Sequence, residues 1–199
     1  MPATSVYAPF IQPVAPAGGA NRVVATMSRP ADNTAYAAGD AIANSGTGSL
    51  VVPLTFTTTR NSGRITGCRC VVTPASSNLV ITALDFDLLI FRPNTNIPFA
   101  AGSYPADNAA MAITSAAFID LVGTFRFSAT NWRNPAGTLT AGVVGYQSQA
   151  LNSSRAIAPF NTDGLAGAGT LLGVVQVLSA WTPTGIVNQF DFALDVDLD

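Results

Sequence analysis

Short runs of alternating apolar and polar residues, separated by turn-forming residues, make up most of the chain. The clearest run is the last, residues 188–199, where every second residue is apolar from Phe190 to Leu198 and the residues between them are aspartates, except Ala193. Alternation of this kind is typical of a half-buried antiparallel strand. By the same criterion we predict strands at residues 22–28, 50–59, 63–73, 79–91, 118–129, 138–150, 170–181 and 188–199, with a short edge piece at 155–160.

Very little of the sequence favours helix. Asp107 and Asn108 precede an alanine-rich stretch at 109–112, a pattern that predicts an N-cap followed by one or two helical turns. We find no internal repeat and no alternation of strands with helices. The sequence therefore predicts an all-β antiparallel sandwich over residues 21–199. About eight strands with long connections favour a jelly roll over an immunoglobulin-like domain.

Residues 1–20 form a separate segment of different composition. Proline at this density blocks helix and central strand and favours an extended arm; the prolines are Pro2, Pro9, Pro13 and Pro16. Tyr7, Phe10 and Ile11 are apolar groups that such an arm cannot bury by itself. We expect either an arm that lies across a neighbouring subunit or partner, or a frayed terminus.

The composition excludes whole classes of chemistry. All nine basic residues are Arg and all eleven acidic residues are Asp, so the 199-residue chain has no Lys, Glu or His. Without histidine, the chain lacks the main residue type of acid–base catalysis, of nucleophilic relays and of many metal sites. Without lysine, it cannot form lysine Schiff bases. We expect no enzyme, no catalytic residue, no cofactor and no metal.

The charge balance and hydropathy exclude further partners. The net charge is −2, the pI is about 4.8 and the arginines are scattered, so no basic patch for nucleic acid is expected. No apolar run approaches the ~20 residues of a membrane helix. The N-terminus lacks the pattern of a secretory signal, which predicts synthesis in a cytoplasm.

Few charges on an apolar chain call for another source of solubility. Charged residues are 10% of the chain, against about 25% in a typical soluble domain. A surface of Thr, Ser, Asn and Gln, burial in an oligomer, or burial against a larger partner would each supply it, and we expect all three.

The remaining titratable pairs predict structure rather than chemistry. Cys68 and Cys70 are two residues apart on a predicted strand, which is too far to bridge without distortion, so we expect two reduced thiols in the core. Asp85 and Asp87 project from one strand face, where we expect a solvent-facing or Arg-paired role. The aspartates of 195–199 lack the curved, glycine-containing backbone of a calcium loop.

One loop mixes polar groups in a distinctive pattern. After the first predicted strand the chain reads Arg-Pro-Ala-Asp-Asn-Thr-Ala-Tyr-Ala-Ala-Gly-Asp-Ala-Ile over residues 29–42. Arg29 can pair with Asp32 or Asp40, and Tyr36 can pin the loop to the sandwich. An ordered loop without further function is the alternative.

This pattern resembles a segment of small proteins encoded near the major capsid protein of tailed bacteriophages, some of which are jelly-roll cement (decoration) proteins. The matching positions are Arg29, Asp32, Thr34, Tyr36, Gly39 and Asp40. The resemblance implies a structural virion protein that binds the outside of a phage head as a homotrimer, with the major capsid protein as partner. Partner contacts are then expected at Tyr7, Phe10, Ile11, Arg29, Asp32, Tyr36 and Asp40.

A second hypothesis is a carbohydrate- or receptor-binding sandwich of a phage tail or fibre. Such a domain needs exposed aromatic platforms on which a sugar or receptor can stack. The candidates are Trp132, Trp181 and Tyr146.

Overall fold

A computed structural model describes residues 20–29, 31–44, 49–74, 84–93, 104–115, 117–132, 145–150, 158–165, 169–183, 185 and 188–199. The strands in this part are β1 (Ala20–Arg29), β2 (Ala41–Ile42), β3 (Leu54–Thr57), β4 (Ser62–Pro74), β5 (Phe86–Phe91), β6 (Leu121–Phe127), β7 (Gly145–Ala150), β8 (Ala158–Asn161), β9 (Thr170–Val177) and β10 (Asn188–Leu198). Two 3-10 turns, Ala117–Ile119 and Ala129–Asn131, flank β6.

The strands form two antiparallel sheets. In the first sheet the order is β1-β10-β4, and both β7 and β8 pair with β4. In the second sheet β2 and β3 both pair with β9, followed by β5 and β6. With β2 and β3 counted as one interrupted strand, and β7 and β8 as another, the orders are 1-8-3-6 and 2-7-4-5. That is the strand order of a jelly roll, so the predicted fold class is confirmed.

The core lies between the sheets and follows from the alternation of the strands. In β10 the apolar residues Phe190, Phe192, Leu194 and Val196 are fully buried, as the pattern predicts. The ring of Phe86 from the second sheet meets Phe190 and Phe192 edge-on, with centroids 6.1 and 6.0 Å apart. Each such buried side chain contributes about 1.5–3 kcal/mol, so contacts of this kind join the two sheets.

A second apolar cluster lies on the outer face of the second sheet, under a segment of the chain. Residues 104–113, which we call the covering segment, pack there through Met111, Tyr104 and Ile113 against Leu89 and Val174. Backbone hydrogen bonds hold this segment to the loop ends around β2, including Ala41 N–H to the Ala109 carbonyl at 2.9 Å and Asn108 N–H to the Ala41 carbonyl at 3.0 Å.

The predicted helix at 109–112 is therefore wrong. Asn108 has φ 59° in a tight turn, and Ala110 pairs with Asp40 as an isolated β-bridge. Tertiary pairing with the end of β2 supplies the backbone partners that a helix would have supplied internally.

Six observed strands lie within predicted ones, with shorter bounds, whereas β1, β4 and β8 extend one or two residues beyond theirs and β2 falls in a stretch for which no strand was predicted. β3 begins at Leu54, just after Pro53, a residue that cannot donate a ladder hydrogen bond. β5 begins at Phe86, later than predicted, and the preceding Leu84 and Asp85 are not in a strand.

The arm residues Tyr7, Phe10 and Ile11 lie outside the described residues. Among the residues that are described, we find no helix long and apolar enough to cross a membrane.

Candidate functional site

The loop that connects β1 to β2 is built around a buried arginine. Arg29 is the last residue of β1, and its side chain is wholly excluded from solvent. Its Nη2 donates to Asp32 Oδ1 at 2.6 Å and to the Asp32 carbonyl at 3.0 Å. Of the two aspartates that the sequence offered, Asp32 is therefore the one that forms an ion pair with Arg29.

Tyr36 fastens the same loop to the sandwich, as predicted. Its backbone forms a bridge with Trp181, with N–H to carbonyl distances of 2.8 and 3.1 Å. The two rings stack with centroids 5.5 Å apart, and the Arg29 guanidinium carbon lies 5.4 Å from the centre of each ring. Cation–π contacts with these two buried rings therefore stabilise the Arg29 guanidinium in addition to its hydrogen bonds.

The covering segment supplies a fifth member of this group, Asp107. The Tyr36 hydroxyl accepts from Arg29 Nε at 3.1 Å and donates to the carboxylate of Asp107, whose oxygens lie at 2.9 and 3.0 Å. Asp107 also accepts from the Ala43 N–H at 2.7 Å. We call Arg29, Asp32, Tyr36, Asp107 and Trp181 the loop cluster.

Asp40 has a local role near this cluster. Its Oδ2 accepts from the Ala37 N–H at 2.6 Å, which closes the turn through Gly39. Gly39 has φ 96°, a conformation that favours glycine. Asp40 thus shapes the loop through the backbone.

The electrostatics of the loop cluster suit a structural role. Burial raises the pKa of Tyr36, with the nearby Arg29 acting against that rise. Burial also raises the pKa of Asp107, while hydrogen bonds from Ala43 and Tyr36 lower it. A phenol held protonated at neutral pH is no base, so this arrangement donates a fixed hydrogen bond.

The four loop residues predicted as partner contacts differ in accessibility. The side chains of Arg29 and Tyr36 are inside the fold, Asp40 is 9% exposed, and Asp32 is partly exposed. Of these four residues, Asp32 is accessible enough to contact a partner directly. Arg29, Tyr36 and Asp40 instead maintain the conformation of the loop. The partner contact itself stays a prediction.

The aromatic platforms of the second hypothesis are not on the surface. Trp132 and Trp181 are 3% and 2% exposed. Trp132 donates its indole N–H to the Leu84 carbonyl at 2.9 Å and stacks on Phe127. The expectation of exposed tryptophans is therefore wrong for both, because each packs in the core. The side chain of Tyr146 lies outside the described residues.

The other titratable pairs are structural where the chain is described. Cys68 and Cys70 are free and fully buried, as expected, and burial raises the pKa of both thiols. Asp87 pairs with Arg126 at 3.1 Å. Across the described ranges, no group of three or more acidic or cysteine side chains is placed to hold a metal ion.

An apolar cleft at one edge of the sandwich was missed by the sequence analysis. It holds about 500 Å³ between β6 and β8, and is lined by Arg92, Ile119, Leu121, Val122, Pro159, Phe160 and Asn161. Ile119 is 76% exposed and its neighbour Phe118 57% exposed. The sequence placed both residues in a strand. The 3-10 turn Ala117–Ile119 instead turns them out to solvent. We call this feature the edge cleft.

The outer face of the first sheet is the second feature that the sequence analysis missed. In the described part of the chain it combines short side chains with charged ones, among them Arg64 and Asp197. Val24, 57% exposed, lies beside Ala193 in the register, and Thr26 beside Asp191. Asp195 takes ion pairs from Arg22 at 3.1 Å and Arg69 at 2.8 Å. The second sheet differs because the covering segment lies over its outer face.

Comparison with known proteins yields weak structural likenesses and no sequence match. No protein-family model and no curated protein sequence matches the chain. A chain in the structure of Triatoma virus aligns over 88% of this chain with 11% identity and a TM-score of 0.25. The alignment spans about 60% of that virus chain.

Proposed function

We propose that this chain is a non-enzymatic structural protein of a virus particle, a cement protein that binds the outside of a phage head. Its partner is the major capsid protein, its assembly a homotrimer, and its place before assembly the host cytoplasm. The observation that carries the proposal is the outer face of the first sheet, where short side chains adjoin charges of opposite sign.

This face is suited to a broad, dry contact. Its exposed positions on β1 include Val24, Thr26 and Ser28, all short side chains with little rotamer entropy to lose. Asp195 is already paired with Arg22 and Arg69 within the sheet. Arg64 and Asp197, both exposed, lie opposite each other in the register of the same face. Docking there therefore desolvates charges that have neighbours of opposite sign, which lowers the main cost of burying charged surface.

The fold is compatible with this function without deciding it. Jelly rolls occur in viral capsid domains and in lectins, and a fold alone does not fix a function. The aromatic residues on which a lectin would stack a sugar are buried here at Trp132 and Trp181. In the loop cluster, Arg29, Tyr36 and Asp107 already form hydrogen bonds with one another or with their neighbours.

Cementing would act by linkage. A ligand that binds only the assembled shell adds RT ln(1 + [L]/Kd), roughly 4 kcal/mol at a thousandfold excess over Kd. Repeated over many sites on a shell, this term would oppose the outward pressure of packaged DNA.

The test is co-sedimentation with purified heads, using a charged substitution on the proposed face. Val24→Asp places a buried charge in the contact, so we expect loss of binding to heads. Val52→Asp is the matched control, because Val52 is 58% exposed but lies off the first sheet. Retained binding by Val24→Asp, or equal loss with both variants, would refute docking through this face.

The arm is tested separately. Deletion of residues 2–16 removes no part of any described strand. We expect the sandwich to stay folded while trimerisation or head occupancy weakens. Full occupancy of heads by the truncated chain would show that the arm makes no needed contact.

A further inference from the structure

The edge cleft has the shape and chemistry of a receptor for a short apolar segment. Its wall is formed by Leu121, Val122, Pro159 and Phe160, and Ile119 stands exposed beside it. Its one cation, Arg92, is held by Asp120 at 2.8 Å. A charged partner would therefore find no free counter-ion among the lining residues, whereas an apolar one would cover exposed carbon.

The N-terminal arm has the matching chemistry. Residues 1–20 contain no charged side chain, and Tyr7, Pro9, Phe10 and Ile11 lie within five positions. Proline limits the backbone freedom of this stretch, so ordering it on a surface loses less entropy than ordering a flexible chain.

The register of the first sheet fixes where the arm begins relative to the cleft. Ala20 pairs with Asp197, Asp197 with Arg64, and Arg64 with Pro159 of the cleft wall. The root of the arm and the cleft are thus at the same strand level but at opposite edges of the sheet, about 14 Å apart by strand spacing. In the described part of the chain, β1 pairs with β10 alone and β8 with β4 alone.

Copies placed edge to edge would bring β1 of one beside β8 of the next. The start of β1, where the arm begins, would then lie close to the edge cleft of the neighbouring copy. To reach the edge cleft of its own copy, the arm would have to fold back across the whole sheet. Such a head-to-tail succession closes into a ring when the rotation between copies is a whole fraction of a turn, and a trimer is the ring formed at one third of a turn.

We propose that the edge cleft of one copy binds the Tyr7–Ile11 segment of the adjacent copy. The inference deepens the proposed function, since it rests on the homotrimer and gives it a structural basis. The nine residues from Ile11 to Ala20 span up to about 30 Å when extended, which is ample for this reach.

The experiment is disulfide trapping between two single-cysteine variants, Phe10→Cys and Ile119→Cys, mixed under mild oxidation. The native Cys68 and Cys70 are fully buried and do not compete. Each chain carries one new thiol, so a mixed covalent dimer reports contact between copies. Val52→Cys replaces Ile119→Cys in the control, because it is also highly exposed but lies far along the chain from the cleft residues.

We expect the Phe10–Ile119 dimer to form at least about tenfold faster than the Phe10–Val52 dimer, because a bound arm raises the local thiol concentration. Equal rates would overturn the proposal. The double variant Phe10→Cys/Ile119→Cys should give covalent multimers. A cross-linked monomer as its main product would also overturn the proposal, in favour of binding within one chain.

Co-sedimentation of the same variants with heads separates this inference from the proposed function. Binding to heads without the cross-link refutes the arm–cleft contact alone. The cross-link without binding to heads supports the contact and refutes the cement function.

Discussion

Tyr36 joins three stretches of chain that are far apart in sequence. Its hydroxyl links Arg29 at the end of β1 to Asp107 in the covering segment, and its backbone links the loop to Trp181. All of these groups are buried, so removal of one leaves the others without a partner and without water.

Replacing Tyr36 with phenylalanine should lower the free energy of unfolding by about 1–3 kcal/mol, because Arg29 Nε and the Asp107 carboxylate each lose a buried partner. Urea unfolding followed by fluorescence measures the change. Thr26→Val is the control: it removes an exposed hydrogen bond to Asp191 and should change stability by no more than about 0.5 kcal/mol. Equal effects would contradict the structural role of the loop cluster.

The raised pKa of Asp107 has a defined sign in the pH dependence of stability. The folded chain holds this proton more tightly than the unfolded chain, so lowering the pH from neutral towards about 4 favours the folded state at this group. The charged groups near it are Arg29 and Asp32, and the neutral Tyr36 hydroxyl donates a hydrogen bond to it. The difference in unfolding free energy, native minus Asp107→Asn, should therefore rise as the pH falls. A difference that falls instead would mean that the pKa is depressed.

At the scale of the elements, the strands were predictable and the covering segment was not. The alternation in β10 indicates which face is buried, because side chains on a strand alternate between two faces. At 109–112 a short alanine-rich stretch favours helix locally, but hydrogen bonds to Gly39 and Ala41 decide the outcome. Those partners lie about seventy positions earlier, and local pattern carries no information about them.

The same distinction applies to the loop cluster. Arg29, Asp32 and Tyr36 lie within one short motif, so their association could be inferred from spacing and charge. Asp107 was missed as a member because its contact with Tyr36 spans 71 positions. The edge cleft was missed because it depends on how two edge strands face each other, which no single stretch encodes.

Gly63 tests the pairing at the end of the first sheet. A Cβ there would lie 2.5 Å from the Asp197 carbonyl oxygen and 3.1 Å from the Leu198 Cα, both backbone atoms of β10. Gly63→Ala should therefore displace the strand and cost about 1–3 kcal/mol. Thermal or urea unfolding measures it, with Ser62→Ala as the neighbouring control of small expected effect. A neutral Gly63→Ala would mean that β10 can shift at this end without loss.

At the scale of the whole molecule, the two outer faces of the sandwich differ. The covering segment lies over the outer face of the second sheet. The outer face of the first sheet is exposed and carries Val24 and the ion pairs of Asp195. A molecule with unlike faces can lie on a larger surface in one orientation.

If the folded chain assembles as proposed, its thermal midpoint should rise with protein concentration, because association stabilises the folded state by mass action. Scanning calorimetry over a wide concentration range measures the rise. The chain lacking residues 2–16 is the control and should show a smaller dependence. A midpoint independent of concentration in the full chain would contradict an assembly coupled to folding.

The pairing of β1 with β10 sets a condition on biosynthesis. Ten consecutive pairs, from Ala20 with Asp197 to Arg29 with Asn188, join the first strand to the last. A nascent chain thus emerges with β1 lacking its ladder partner until residues 188–197 have been synthesised, and this pairing must wait until β10 has left the ribosome. Every product of premature termination before residue 188 would expose that strand, which makes it a natural signal for proteolytic clearance.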